Sequence, residues 1–137
     1  MIRATYGPVR LGVNLSATSR HEDGCELTGY GFHATAPGLI AGTVRSLAGA
    51  VFGDEGVCFV TEGDAQRAEV WFYAAAGSEV AAELPAGMGG EISVVLDRQP
   101  AKSVTADNAI LRLRLPDADK LSAKPFKQLW HAEVKPR

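Results

Sequence analysis

The stretch Val9–Leu15 reads Val-Arg-Leu-Gly-Val-Asn-Leu, with an apolar side chain at every odd position. Alternation with a period of two is typical of a β-strand that buries one face. The pattern recurs at Glu91–Asp97 and at Ala109–Leu115, where Pro116 then ends the strand because proline cannot donate to the ladder. Three such stretches predict a sheet with one apolar face.

Ala36–Phe52 is the one stretch for which we predict a helix. Pro37 suits the first turn of a helix. The apolar residues fall on one helical stripe, at Ile40, Val44, Leu47 and Val51. Three glycines oppose this prediction, since each costs about 1 kcal/mol relative to alanine in a helix interior. The choice between helix and strand here therefore decides the fold class.

The order of elements predicts an α+β fold. Six or seven short strands and about one helix are expected, and the 22 Gly and Pro residues favour tight turns between consecutive strands. Consecutive strands joined by short turns build antiparallel sheets. We therefore predict a single domain, residues 1–137, with a mostly antiparallel β-sheet and one helix (36–52) on one face. If 36–52 is extended, an all-β sandwich or small barrel follows.

Length and composition narrow the class of protein. The chain has 137 residues, of which 46% are hydrophobic and 22% charged, as in an ordinary globular domain. Two cysteines are too few for a disulfide framework, and we find neither a signal peptide nor an apolar stretch long enough to span a bilayer. These features predict a cytoplasmic protein with no membrane partner.

Charge is divided unevenly along the chain. Residues 1–97 carry five arginines and twelve acidic residues, whereas residues 98–137 carry nine basic and four acidic ones. Such a division suits pairing between subunits of a homo-oligomer, pairing within the chain, or binding of a small anionic ligand. The sequence pI of about 5.9 argues against a nucleic-acid partner.

His33 is the first candidate functional residue, because it lies in the tetrapeptide His33-Ala34-Thr35-Ala36. This tetrapeptide resembles one of the two motifs of the 2H phosphoesterases. In that family two histidines exchange protons with the substrate while hydroxyl groups hold the phosphate. The chain has no second copy, since Glu133 stands where the motif around His131 needs a hydroxyl. His33 is therefore a catalytic candidate, with an ordinary hydrogen-bonded histidine as the structural alternative.

Three arginines are candidate ligand-binding residues. Arg112 and Arg114 share one face of their predicted strand, and we expect that Arg10 can share a sheet with them. Guanidinium groups on one face can bind phosphate or carboxylate, whereas a solvated face with acidic partners is the alternative. We predict no metal site and no cofactor, because Asp23-Gly24 within the cluster His21–Glu26 is typical of a hairpin turn.

Two hypotheses for function follow. The first is a non-enzymatic module that binds a partner or associates with itself, since no complete catalytic set is present. The second is a small hydrolase or ligand carrier with a pocket near His33. A pocket on which His33 and further polar groups converge would favour the second hypothesis.

Overall fold

The described part of the chain consists of strands and turns. A computed structural model describes residues 1–22, 24–52, 56–97, 99–117 and 127–137. The strands in these ranges are β1 (Ile2–Tyr6), β2 (Val9–Val13), β3 (Arg20–Glu22), β4 (Cys25–Leu27), β5 (Phe32–Ala36), β6 (Leu39–Leu47), β7 (Ala50–Val51), β8 (Val57–Gly63), β9 (Ala68–Ala75), β10 (Glu79–Glu83), β11 (Gly90–Leu96), β12 (Lys102–Ala106), β13 (Ile110–Arg114) and β14 (Lys127–Pro136). No helix occurs in them, so the α+β prediction is wrong and the all-β alternative fits.

The strands form one large antiparallel sheet and one small one. The large sheet follows the order β1-β2-β5-β6-β8-β9-β14-β11-β12, with β3, β4 and β7 attached beside β6. The small sheet pairs β10 with β13. The predicted antiparallel pairing is confirmed. Strands β3 and β4, which lie on either side of the turn predicted at Asp23-Gly24, pair with each other, and Asp23 lies outside the described residues.

The predicted helix 36–52 is replaced by β6 and β7. Pro37 and Gly38 form a two-residue turn before β6, with φ +74° at Gly38. Ala48 and Gly49 form the next turn, with φ +49° and +85°, and positive φ at both central residues is typical of a hairpin turn of type I′. The prolines and glycines of this stretch therefore mark strand ends.

Strand register divides the large sheet into two faces, because residues directly opposite each other on neighbouring strands share a face. Phe59 and Phe72 pair across β8 and β9 and are fully buried, and we call their side the inner face. Val60 and Trp71 pair on the same two strands and define the outer face. This division applies along the whole row of paired strands.

The hydrophobic core lies between the inner face and the small sheet. Strand β10 contacts β6, β8 and β9, and the apolar residues of β10 and β13 belong to the same buried cluster as Phe59 and Phe72. The predicted apolar face of 109–115 is confirmed, since Leu111, Leu113 and Leu115 are buried. Glu91–Asp97 is confirmed in the same way by the buried Ile92, Val94 and Leu96.

The alternating stretch Val9–Leu15 differs from the other two. Its apolar residues alternate as predicted, but Val9, Leu11 and Leu15 are exposed. Leu11 pairs with Ala34 and so belongs to the outer face, which no second sheet covers in the described part of the chain. In the described ranges, the structure contains no helix with the length and apolar character that crossing a bilayer requires.

Candidate functional site

The inner face extends beyond the core onto β1, β2 and β5, and there it becomes polar. The register places two neighbouring rows of residues on this extension. The first row is Thr5, Arg10 and Thr35; the second is Arg3, Gly12 and His33. The second row continues into Gly42 and the buried Phe59. The polar part of the inner face therefore begins at the edge of the hydrophobic core.

Two tight turns bring these three strands together. Gly7 and Pro8 join β1 to β2, with φ +57° at Gly7, and glycine at the first position of a two-residue turn is typical of type II′. Strand β5 pairs with the other side of β2. β1 and β5 each contribute two polar residues two positions apart, and β2 contributes Arg10 and Gly12; alternation places both residues of each strand on the inner face.

Gly12 allows the side chain of Glu22, on β3, to lie close over the middle of the second row. Gly12 is buried, and a Cβ atom at this position would lie 3.4 Å from Oε2 of Glu22. Both residues line a cleft of about 420 Å³, together with Arg3, Arg10, His33 and Thr35. That volume lies within the range of small-molecule sites.

Glu22 is held by Arg3 at one side of the cleft. Nε of Arg3 donates to both carboxylate oxygens of Glu22, at 2.9 and 3.1 Å. The Glu22 side chain is only 8% exposed, so the buried negative charge is compensated by a charge-assisted hydrogen bond. Arg3 is thereby occupied as a structural partner of Glu22.

Arg10 is placed differently. Its side chain is exposed at the cleft, between Thr5 on β1 and Thr35 on β5. Within the described part of the chain, the side chain of Arg10 makes no hydrogen bond or ion pair. A guanidinium group with five N–H donors and two adjacent hydroxyl groups forms a donor-rich surface that matches a planar or tetrahedral oxyanion.

His33 joins the cleft to the small sheet. Its Nε2 lies 2.7 Å from Oε1 of Glu83 on β10, and the two side chains are 13% and 25% exposed. When the Glu83 carboxylate is ionised it only accepts, and Nε2 of His33 is then the donor. The His33 side chain is thus hydrogen-bonded across the boundary between the two sheets.

The other two predicted arginines lie elsewhere. Arg112 and Arg114 share one face of β13, as expected, but β13 belongs to the small sheet, so the three-arginine face with Arg10 does not assemble in one sheet. Nη2 of Arg114 lies 3.7 Å from Oδ1 of Asp117. The two arginines line a separate cleft of about 410 Å³ with Glu79 and residues of β7.

Sequence reasoning missed four residues of this site. Arg3, Thr5 and Gly12 were not singled out, and neither was Glu83, whereas Glu22 was named only as part of the cluster His21–Glu26. The signal for the first two was present, because polar residues two apart flank the Gly7-Pro8 turn, and that turn sets the register of β1 against β2. Glu22 and Glu83 reach the site from strands that are distant in sequence, and no local pattern predicts this.

Comparison of the chain with known protein families, with curated proteins and with solved structures found no match. Among the described residues, no three His, Cys, Asp or Glu side chains lie close enough together to hold a metal ion. The geometry of the cleft is therefore the basis for the function proposed below.

Proposed function

We propose that this protein is a non-enzymatic binding module that holds a small hydroxylated oxyanion in the cleft above Gly12. One observation supports this most strongly. The side chain of Arg10 lies at the cleft with no ion-pair partner in the described residues, whereas Arg3, in the neighbouring row, is paired with Glu22. An arginine that is not neutralised at the mouth of a cleft is a natural partner for phosphate or carboxylate.

The cleft has two chemically different ends. Arg10, Thr5 and Thr35 supply donors at one end, and the carboxylate of Glu22 supplies acceptors at the other. A ligand that matches both ends carries an oxyanion and, a few ångströms away, hydroxyl groups that donate to Glu22. Sugar phosphates and hydroxy acids have this combination, whereas inorganic phosphate satisfies only the Arg10 end.

A calorimetric titration tests this proposal. We expect glucose 6-phosphate or citrate to bind in the low millimolar range, inorganic phosphate to bind more weakly, and glucose to give no measurable heat. Arg10→Gln should weaken binding about tenfold or more, since it removes a charge-assisted contact. Arg112→Gln is the matched control, because Arg112 is an equally exposed strand arginine on the other sheet.

Filling the cleft provides a second, steric test. Gly12→Leu places a side chain against Glu22, whose carboxylate lies 3.4 Å from a Cβ at Gly12, and should abolish binding. Because the same side chain presses on the Arg3–Glu22 pair, urea unfolding of the variant accompanies the titration. Equal affinity of the wild type, Arg10→Gln and Gly12→Leu for glucose 6-phosphate would refute the proposal. So would a loss of affinity on Arg112→Gln alone.

The hydrolase hypothesis has less support from the geometry. Among the described residues that line the cleft, His33 is the one histidine, so the second histidine that the 2H phosphoesterase motif requires does not lie beside it. We therefore expect no turnover of phosphate monoesters or thioesters. Hydrolysis that disappears in His33→Asn and persists in the exposed control His21→Asn would instead establish an enzyme.

A further inference from the structure

We propose that two copies of this chain pair through the open edge of β1, which makes the large sheet continuous across a two-fold axis. Strand β1 ends the row of paired strands, and in the described part of the chain nothing pairs with its other edge. All five of its residues are exposed. An edge strand without proline, bulge or covering segment is a template for pairing with another chain.

The backbone of β1 is oriented for such pairing. Because Gly7-Pro8 is a two-residue turn, Tyr6 and Val9 form a hydrogen-bonded pair. Hydrogen-bonded pairs alternate along a hairpin, so Ala4 also directs its N–H and C=O groups to β2. Arg3 and Thr5 direct theirs to the open edge, where they are available to a second strand.

One register pairs the backbone N–H and C=O groups on the open β1 edges of both copies. With Ala4 on the two-fold axis, Arg3 of each copy lies opposite Thr5 of the other, and these two pairs supply four backbone hydrogen bonds. No like charges then face each other on the inner face. A register centred on Arg3 would instead place two guanidinium groups directly opposite, which is destabilising. Antiparallel self-pairing of this kind is the isologous contact of a two-fold dimer.

Side chains on the outer face provide the apolar contacts of the proposed dimer. In this register, Ile2 of each copy lies opposite Tyr6 of the other, and these side chains are 51% and 87% exposed in the single chain. The apolar outer row of Ala4, Leu11 and Ala34 then continues into its counterpart. The exposed apolar residues of Val9–Leu15 lie on β2, next to the β1 edge. Pairing of two β1 strands therefore joins the apolar outer surfaces of the two copies into one.

Dimerisation also affects the cleft. It places Thr5 of the second copy beside Arg3, at the rim of the proposed ligand site, and it directs both clefts to one continuous inner face. Neighbouring strands lie about 4.8 Å apart, so the two β2 strands are separated by about 14 Å. This inference depends on the β1 edge and not on ligand binding, so either proposal can fail alone.

Charge substitutions at the predicted cross-strand pair test the register. Light scattering after size-exclusion chromatography should show a dimer for the wild type in the micromolar range. Ile2→Lys combined with Tyr6→Lys places lysine opposite lysine twice and should raise the dimer dissociation constant about tenfold or more. Ile2→Lys combined with Tyr6→Glu places opposite charges in the same positions and should restore the dimer. Circular dichroism confirms that both variants fold.

A backbone variant tests the edge directly. Thr5→Pro removes an N–H that points away from β2, so the β1–β2 ladder survives while the intermolecular bond is lost. The matched control Thr5→Val keeps that N–H and should remain dimeric. A monomeric wild type at every concentration would overturn the proposal. A dimer that survives the lysine pair and Thr5→Pro, but dissociates on Leu11→Lys, would show face-to-face packing instead and would equally overturn it.

Discussion

His33 on β5 and Glu83 on β10 connect the two sheets through one hydrogen bond, with Nε2 of His33 2.7 Å from Oε1 of Glu83. The bond lies at the boundary between the apolar core and the polar cleft, because the row that holds His33 continues into the buried Phe59. A charge-assisted bond at this position fixes how the small sheet sits against the inner face.

We expect the His33–Glu83 bond to stabilise the fold. Glu83→Gln should lower the free energy of unfolding by about 1–3 kcal/mol, because it removes a charged acceptor from a largely buried pair. Urea unfolding measures this change. Glu79→Gln, on the same strand and exposed, is the matched control and should have little effect.

A double-mutant cycle that adds His33→Asn isolates the interaction free energy between His33 and Glu83 from the effect of each substitution alone. The cycle should give a coupling free energy of about 1 kcal/mol or more. Strict additivity of Glu83→Gln and His33→Asn would show that the two side chains do not cooperate in the folded protein.

Thr61 gives a prediction in the stabilising direction. It is 1% exposed, and its Oγ1 has no hydrogen-bond partner in the ranges that the structure describes. Burial of an unsatisfied hydroxyl group is unfavourable, so Thr61→Val, which keeps the shape, should raise the free energy of unfolding by about 1 kcal/mol. Thermal and urea unfolding measure it, with the exposed Thr105→Val as control; a destabilised Thr61→Val variant would contradict the expectation.

Glu26 predicts a dependence of stability on pH. The pKa of Glu26 lies below its ordinary value of 4.5. A hydrogen bond from Ser19 lowers it most, and Nη1 of Arg45, 3.1 Å from Oε1 of Glu26, lowers it further. Burial of the carboxylate acts in the opposite direction and raises it. Because the folded-state pKa is depressed, this stabilisation is present above the unfolded pKa and is lost as the pH falls through the folded one.

Ser19→Ala should therefore destabilise the protein at neutral pH, and the difference from the wild type should shrink on acidification below about pH 4. Urea midpoints measured across that range test this, with Ser103→Ala on an exposed strand as control. A difference that is the same at neutral and acidic pH would show that the Ser19 contact does not act through the charge of Glu26.

Gly12 and Gly42 flank His33 on the two neighbouring strands and should respond differently to alanine. A Cβ at Gly42 would lie 3.1 Å from the Phe32 carbonyl oxygen, whereas the nearest atom to a Cβ at Gly12 is 3.4 Å away. We expect Gly42→Ala to destabilise the fold by about 1–3 kcal/mol and Gly12→Ala to be neutral. Differential scanning calorimetry of the pair measures this, and equal midpoints would contradict it.

Alternation predicted three strands, β2, β11 and β13, and the expected total of six or seven is lower than the fourteen in the described ranges. The strands within 36–52 could not be predicted, for a physical reason. The pairing of β6 with β4 changes register between Glu26 and Leu27, so that one extra residue, Arg45, is inserted into β6. The bulge changes the phase of alternation. Buried Val44 and Leu47 therefore lie three residues apart, a spacing that imitates a helix.

The candidate site was predictable only in part. The sequence pointed to His33 as a catalytic candidate and to Arg10 as a ligand-binding candidate, and the structure brings both residues to one cleft. Arg112 and Arg114 were grouped with Arg10 because sequence alternation shows which residues share a strand face but not which sheet the strand joins. The carboxylates of Glu22 and Glu83 meet the cleft only through tertiary packing, so no local sequence pattern indicates that they belong to it.

The central claim is that ligand binds above Gly12, and amide chemical-shift mapping tests it most directly. Addition of glucose 6-phosphate to ¹⁵N-labelled protein should shift the amide resonances of Arg10, Gly12 and Thr35, and the Arg10→Gln variant should lose these shifts. Shifts confined to β13 around Arg112, or an unchanged spectrum at saturating ligand, would contradict the account.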